Sequence, residues 1–204
     1  MRNFSVILLA AGGSRRLGTP KQLVSFEGEA LVSRVVRTAQ GAKPRELIVV
    51  LGSEASRVRE ACETSQPSAT YFVRPQYVIN ENWAEGMGSS IRAGTAKLAP
   101  DTEAVVLMLC DQPRINSGLL IDLVKALDET TPAAACCYSG TPGAPCAFDR
   151  SLIPALAHLT GDRGARDLIR SPHHKVALLD FEPAAFDVDT PDDLSRLPQF
   201  QDRE

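Results

Sequence analysis

The chain has 204 residues, 44% of them hydrophobic and 23% charged, with a net charge of −3. That length and balance suit one globular domain with a sizeable core, spanning 1–204, and argue against disorder. The mild charge excludes a basic nucleic-acid groove or an anionic membrane surface as the main partner, and no apolar run approaches the ~20 residues of a membrane span.

Phe4 to Ala10 is a continuous β-prone run, the pattern of a strand buried on both faces. Ala30 to Gln40 reads as a helix and Glu46 to Leu51 as a second strand, closing at Gly52. Ser53 to Cys62 is a short helix with Ser53 as its N-cap, and Ala69 to Val73 is a third strand. A loop carrying Pro75 and Asn80 leads to a helix near Ser89 to Leu98. Glu103 to Leu109 is another buried strand, followed by Asp111-Gln112-Pro113 and a helix over Ser117 to Glu129. After Thr131 the rhythm loosens. Strands are expected at Ala133 to Tyr138, Ala144 to Phe148, Lys175 to Leu179 and Phe186 to Val188, with a helix over Ser151 to Leu159. Thr190 caps a last helix through Pro191 to Leu197, and the tail from Gln199 frays. Strands alternating with helices over short connections predict an α/β, Rossmann-like three-layer domain with a mainly parallel sheet. The five cysteines (Cys62, Cys110, Cys136, Cys137, Cys146) are odd in number and lack CxxC spacing, so they read as reduced thiols of a cytoplasmic protein.

The first strand runs into Leu9-Ala10-Ala11-Gly12-Gly13-Ser14-Arg15-Arg16-Leu17-Gly18-Thr19-Pro20-Lys21. Gly12, Gly13 and Gly18 permit positive φ and close approach of backbone N–H groups to phosphate oxygens, with Arg16 and Lys21 as countercharge. No G-x-G-x-x-G is present, and Thr19-Pro20 stands where a P-loop needs Lys-Ser/Thr. An ordinary βα turn with solvated arginines is the competing reading. It is weakened because the loop is longer than the usual about 2–6 residues.

Leu9 to Lys21 fits L-A-A-G-x-S-x-R-x-G-x-P-K and resembles the signature of the MobA-like nucleoside triphosphate transferases, above all the molybdenum-cofactor cytidylyltransferase branch. The resemblance implies that Leu9, Ala10, Ala11, Gly12, Gly13 and Ser14 line the triphosphate, with Arg16 and Lys21 on its phosphates. Arg15 falls at a variable position and is expected to face solvent. In Asn80-x-x-Trp83-x-x-Gly86-Met87-Gly88-Ser89-Ser90, the resemblance places base contacts at Gly88 and Ser89, and less firmly at Asn80. An N-cap role for Ser89 or Ser90 competes, and Trp83 reads as core or pocket wall.

Asp111 closes a buried strand and resembles the family's magnesium aspartate. Mg²⁺ binds one or two carboxylates together with substrate phosphates. Asp189, in Asp187-Val188-Asp189-Thr190-Pro191-Asp192-Asp193-Leu194, matches the second metal position. Asp187 is expected on the opposite strand face, and Asp192 and Asp193 suit a helix N-terminus. The segments Gly140 to Phe148 and Gly161 to Arg166 resemble those at the acceptor. They make Gly143, Pro145, Asp162, Gly164 and Arg166 acceptor-site candidates, although an i,i+4 pair of Arg166 with Asp162 competes. Cys146 reads as a buried filler. His158, His173 and His174 fall in no motif, and no Ser-His-Asp or Cys-His arrangement is suggested.

The implied chemistry is Mg²⁺-dependent transfer of a nucleoside monophosphate, CMP from CTP, to a phosphorylated acceptor, with molybdopterin the leading candidate and pyrophosphate released. The nucleotide half is about 1–113 and the acceptor half about 114–198. A transient contact with a molybdoenzyme or cofactor-insertion protein follows from the same resemblance. Three alternatives stand beside it. One is a transferase using GTP or ATP, or acting on a sugar, polyol or other cofactor phosphate; another is a silent nucleotide-binding chaperone. The third, an NAD-dependent dehydrogenase, is disfavoured by the missing G-x-G-x-x-G.

Overall fold

A computed structural model describes residues 2–64, 73–162 and 164–196. In chain order the strands and helices are β1 (Phe4–Ala10), β2 (Ser25–Phe26), β3 (Glu29–Ala30), α1 (Leu31–Gly41), β4 (Glu46–Leu51), α2 (Ala55–Thr64), β5 (Pro75–Ile79), α3 (Met87–Thr95) and β6 (Ala104–Leu109). They continue with α4 (Ser117–Lys125), β7 (Ala133–Tyr138), β8 (Thr141–Asp149), α5 (Ile153–Leu156), α6 (Arg166–Ile169), β9 (Val176–Asp180) and α7 (Pro191–Arg196). Seven strands form one sheet in the order β5-β4-β1-β6-β8-β7-β9, and β2 and β3 make a separate small hairpin. Four of the six pairings are parallel, while β8 runs antiparallel to both β6 and β7.

Every residue of β1 is buried, because helices cover both faces of the sheet. Val6, Leu8 and Ala10 join α1, α2 and α4 through Val32, Val35, Val58, Leu120 and Leu123. Ile7 and Leu9 face the other way, toward Ile91 of α3, Leu156 of α5 and Ile169 of α6. The period-2 alternation of a strand therefore feeds two cores and gives the three layers. From β1 the chain turns through α1 to β4 on one side, and it later returns as β6 on the other. The C-terminal ends of β1 and β6 flank the point where strand order reverses, which is where open α/β sheets leave a crevice.

The structure departs from the expected elements at several places. Of the strand expected at Ala69 to Val73, residues 69–72 lie outside the described residues, and Val73 is not in a strand. The third parallel strand is β5 instead, in the segment read as a loop. Pro75 is its first residue on the sheet's edge, where a missing N–H removes no ladder bond. Glu54, at φ 59°, separates Ser53 from α2, so Ser53 does not cap it. Helix α4 stops at Lys125, and the Asp128 carboxylate accepts from the N–H groups of Thr130 and Thr131 to form a turn. Positive φ at Ser139 and Gly140 makes the tight β7–β8 turn and lengthens β8 to nine residues. The helix read over Ser151 to Leu159 contracts to a 3-10 turn and the four-residue α5. Phe186 to Val188 forms no strand. Leu197, the tail and Arg163 lie outside the described residues.

Gly94 of α3 lies against β1, where an added Cβ would sit 2.6 Å from Ile7 Cγ2 and 3.0 Å from Val50 Cγ2. Both are β-branched side chains with little freedom to yield. Gly94→Ala is therefore expected to lower stability by about 1–3 kcal/mol through overpacking, despite the ~1 kcal/mol by which alanine favours a helix. Urea denaturation checks the sign, and a stabilised variant would rule out the close approach.

Candidate functional site

The loop leaving β1 is shaped from behind. Ser14 and Gly18 take left-handed backbone (φ 49° and 72°), and the N–H groups of Leu17 and Gly18 donate to the Ser14 carbonyl at 3.1 and 3.2 Å. Gln22 is 1% exposed. Its Nε2 donates to the carbonyls of Ala10 (3.1 Å) and Gly12 (2.7 Å), and the Ser53 N–H donates to that of Ala11 (3.0 Å). Three successive carbonyls are thus held on the protein side. The N–H groups of Gly12, Gly13, Ser14 and Arg15 donate to nothing among the described residues. Such a run of unspent amides suits an anion. The Lys21 N–H donates to Ser14 Oγ at 2.9 Å, which carries the chain from loop to lysine. Sequence reasoning missed Gln22, because nothing in the local pattern marks an amide that will be buried.

Asp111 follows the end of β6. Its carbonyl accepts from the Val188 N–H at 3.0 Å, and Val188 is buried with Phe26 and Leu31, so the 186–189 segment lies beside it without a strand ladder. Gln112, also overlooked in the sequence, is 1% exposed, and its Nε2 donates to Ala144 O (3.2 Å) and Ala184 O (2.9 Å). Those bonds tie the end of β6 to β8 and to the turn before Asp187. Asp189 is fixed by the start of α7. Asp193 Oδ2 accepts from the N–H groups of Asp189 (3.1 Å) and Thr190 (2.8 Å) and from Thr190 Oγ1 (2.7 Å), so Asp193 secures this helix entry as well as suiting its dipole.

Lys21 joins the two carboxylates. Its Nζ donates to Asp111 Oδ2 and, at 2.9 Å, to Asp189 Oδ1, while Arg16 Nη2 donates to Asp189 Oδ2 at 2.7 Å. Burial works against the Lys21 ammonium, but the adjacent Asp111 carboxylate and the bonds to both aspartates outweigh it, and its pKa rises. Lys21 is therefore charged at neutral pH. Asp111 Oδ1 is buried without a hydrogen-bond partner. Asp187, expected to face away, borders the same region because its segment is not a strand. Burial first, then the charges of Asp111 and Asp189, push its pKa up to about 7.

Two cavities meet at this point. One, of about 410 Å³, is lined by Ala11, Gly12, Gly13, Arg15, Lys21 and Asp111, and by Trp83, Gly86 and Ser90. The other, of about 290 Å³, is largely apolar, with Tyr138, Arg166 and Asp187 among its polar groups and Gly143, Ala144 and Cys146 in its wall. Leu9, Met87, Leu109 and Asp162 border both. Pro145 is buried beside the second cavity and does not line it. Arg166 is the first residue of α6, so Asp162 lies off the helix, and the two form no ion pair among the described residues. Gly164, at φ 58°, lies where a Cβ would meet Met87 Sδ at 2.5 Å.

Asn80, Gly88 and Ser89 stand behind the wall. Asn80 Nδ2 donates to Ser89 Oγ (2.8 Å) and Ser90 Oγ (3.0 Å), and Ser89 Oγ donates to Asn82 O and Gly86 O. Gly88 packs on the Thr160 backbone, 2.8 Å from where its Cβ would be, and its N–H donates to Gly161 O. Helix α3 starts at Met87, so Ser89 lies inside its first turn and is not the cap; Gly86, at φ 115°, takes that position. The cavity wall here is made by Gly86, Met87 and Ser90. Arg15 borders the cavity. Arg16, 75% exposed, reaches across to Asp189 and is not in the lining.

Residues 6–176 match the MobA-like NTP transferase domain. The chain is 34% identical to nicotine blue oxidoreductase of Paenarthrobacter nicotinovorans over 94% of both proteins. Among solved structures it resembles Rv0371c of Mycobacterium tuberculosis H37Rv, with a TM-score of 0.81, 32% identity and coverage of 98% of this chain and 99% of that one. A structure of Rv0371C in complex with manganese superposes with a TM-score of 0.76 at 30% identity, covering 98% and 100%.

The raised pKa of Asp187 makes a prediction with a definite sign. The fold favours the protonated acid, so this group's contribution to stability is full below the unfolded value near pH 4 and is lost as pH rises through about 7. In metal-free protein, Asp187→Asn should lose less melting temperature than the wild type between pH 5 and pH 8.5. Parallel curves would show that Asp187 ionises normally.

Proposed function

Because the chain belongs to the MobA-like NTP transferase domain family, whose members are nucleotidyltransferases, we propose that it transfers CMP from CTP to a phosphorylated acceptor, with molybdopterin as the leading candidate, and releases pyrophosphate. The observation that carries this reading is the convergence of the glycine-rich loop, Lys21, Asp111 and Asp189 at the C-terminal ends of β1 and β6. The first cavity, with its unspent amides, suits the triphosphate. The second, running from the shared Leu9 and Leu109 to Arg166, suits the acceptor. On this reading the nucleotide half is 1–113 and the acceptor half 114–198.

The residues fit a divalent cation held with substrate phosphates. Among the described residues no group of three or more His, Cys, Asp or Glu side chains forms a ready metal site. Mg²⁺ does not require one, since one or two carboxylates and phosphate oxygens suffice. Asp111 has a buried, partnerless Oδ1, and Asp189 faces it across Lys21. These two would hold the ion, whose chemistry when bound is neutralisation of phosphate charge. The manganese complex of Rv0371C supports a divalent ion. The protein's own part is positioning and countercharge. An acceptor phosphate is largely dianionic at neutral pH, its second pKa being about 6, and attacks the α-phosphorus without a general base. Lys21 and Arg16 neutralise charge that grows on the departing pyrophosphate. Support for CTP comes from the resemblance of the L-A-A-G and G-M-G-S-S segments to the cytidylyl branch, with Gly86, Met87 and Ser90 on the wall.

A redox reading draws on the name of the Paenarthrobacter relative, and one assay divides the two. Pyrophosphate release is measured with CTP, GTP, ATP and UTP over a panel of phosphorylated acceptors, beside NADH and NADPH oxidation. CTP is expected to exceed GTP and ATP by at least about tenfold in kcat/KM, a difference of 1.4 kcal/mol. A better purine donor would remove the cytidylyl assignment, and nicotinamide oxidation without pyrophosphate release would remove the transferase reading. Asp111→Asn should reduce turnover by at least about 100-fold with the melting temperature retained, in keeping with loss of one charge-stabilising group.

Lys21 yields a less obvious expectation. Its ammonium neutralises the carboxylates that would hold the ion, so Lys21→Met should bind Mn²⁺ alone about tenfold more tightly than the wild type while turning over more slowly. Electron paramagnetic resonance of free Mn²⁺ reads the affinity. Unchanged or weaker binding would exclude competition between Lys21 and the metal.

A further inference from the structure

The cations around the larger cavity are not equivalent. Lys21 is held by Asp111 and Asp189, and Arg16 by Asp189, so two positive and two negative charges cancel locally. Arg15 lines the cavity with Gly12, Gly13 and Lys21 and makes no hydrogen bond or ion pair among the described residues. Its own N–H is unspent, like those of the three residues before it. The left-handed Ser14 separates the glycines from the two arginines, which diverge, Arg16 toward α7 and Arg15 onto the cavity rim.

We infer that Arg15 is a nucleotide-binding residue whose guanidinium takes the polyphosphate tail of the incoming triphosphate. This rests on the reading of the cavity as a triphosphate site. A triphosphate brings several negative charges to a site where Lys21 and Arg16 are already taken up by Asp111 and Asp189 and where Asp162 adds a further carboxylate at the border. An uncompensated guanidinium forms a charge-assisted, two-pronged contact with phosphate oxygens and breaks no existing ion pair in doing so. Lys21 and Arg16 must first exchange a carboxylate for a phosphate. Arg15 therefore contributes to capture, and the compensated pair contributes after it. Its effect belongs in KM, with kcat left nearly unchanged.

The test is calorimetric titration of inorganic tripolyphosphate, CTP and CMP into the full chain without divalent ions, for the wild type, Arg15→Ala, Arg15→Lys, Lys21→Ala and the distant control Arg150→Ala. Arg15→Ala should weaken tripolyphosphate and CTP about tenfold and CMP by less than about threefold. Arg15→Lys should recover part of the loss, because the charge returns without the fork. Arg150→Ala should match the wild type. Wild-type affinity in Arg15→Ala beside a loss in Lys21→Ala would overturn the role of Arg15 and leave the triphosphate site standing. Equal losses for CMP and tripolyphosphate would overturn its assignment to the tail. A wild-type protein that binds neither CTP nor tripolyphosphate would overturn both this inference and the reading beneath it.

Discussion

One ammonium group joins three parts of the chain that the sequence keeps far apart. Lys21, at the end of the loop after β1, meets Asp111 at the end of β6 and Asp189 at the entry to α7. Its side chain and that of Asp111 are 17% and 13% exposed, so neither charge is well solvated and each needs the other. Removing one partner would leave a poorly hydrated charge, which is costlier than the pair is favourable. The site is thus built as a balanced cluster, and its surroundings follow from that balance. Arg16 completes the coordination of Asp189, and burial, with the neighbouring carboxylates adding to it, lifts the pKa of Asp187.

The sheet supplies the stage for this cluster. Reversal of strand order between β1 and β6 leaves a crevice at their C-terminal ends, and both the glycine-rich loop and Asp111 emerge there. Polar side chains buried behind the crevice set its shape. Gln22 turns loop carbonyls inward, Gln112 ties β6 to β8, and Asn80 holds the hydroxyls at the start of α3. Each uses a directional bond in a dry setting, where an unmet polar group is costly.

Much of the fold was legible along the chain. β1, β4 and β7 stand where their apolar runs placed them, because a strand buried on both faces announces itself by continuity. β5 was not legible, since an edge strand beginning with proline carries the punctuation of a loop. Phe186 to Val188 had strand composition but forms no ladder, and a bond to Asp111 together with packing of Val188 on Phe26 and Leu31 holds it instead. Within the site, Lys21, Asp111 and Asp189 were visible as motif residues. Gln22 and Gln112 were not, because burial of an amide leaves no trace in local pattern. Arg15 is exposed as expected but also borders the cavity, and the pairing of Arg16 with Asp189 was not legible for a similar reason. Their order along the loop says nothing about which one finds a carboxylate.

The sequence by itself determined the layer architecture and the identity of the charged groups, because these rest on periodicity and residue type, while the family was legible through the resemblance of its motifs. The tertiary structure alone decided which charges neutralise one another and which stay open to a ligand. It also decided that Gly88 packs on Thr160 while Gly86, Met87 and Ser90 face the cavity. Ion pairing and close approach depend on distances between segments remote in the chain, here 90 and 168 residues for the two partners of Lys21. Such distances are set only when the sheet has assembled and its two cores have packed.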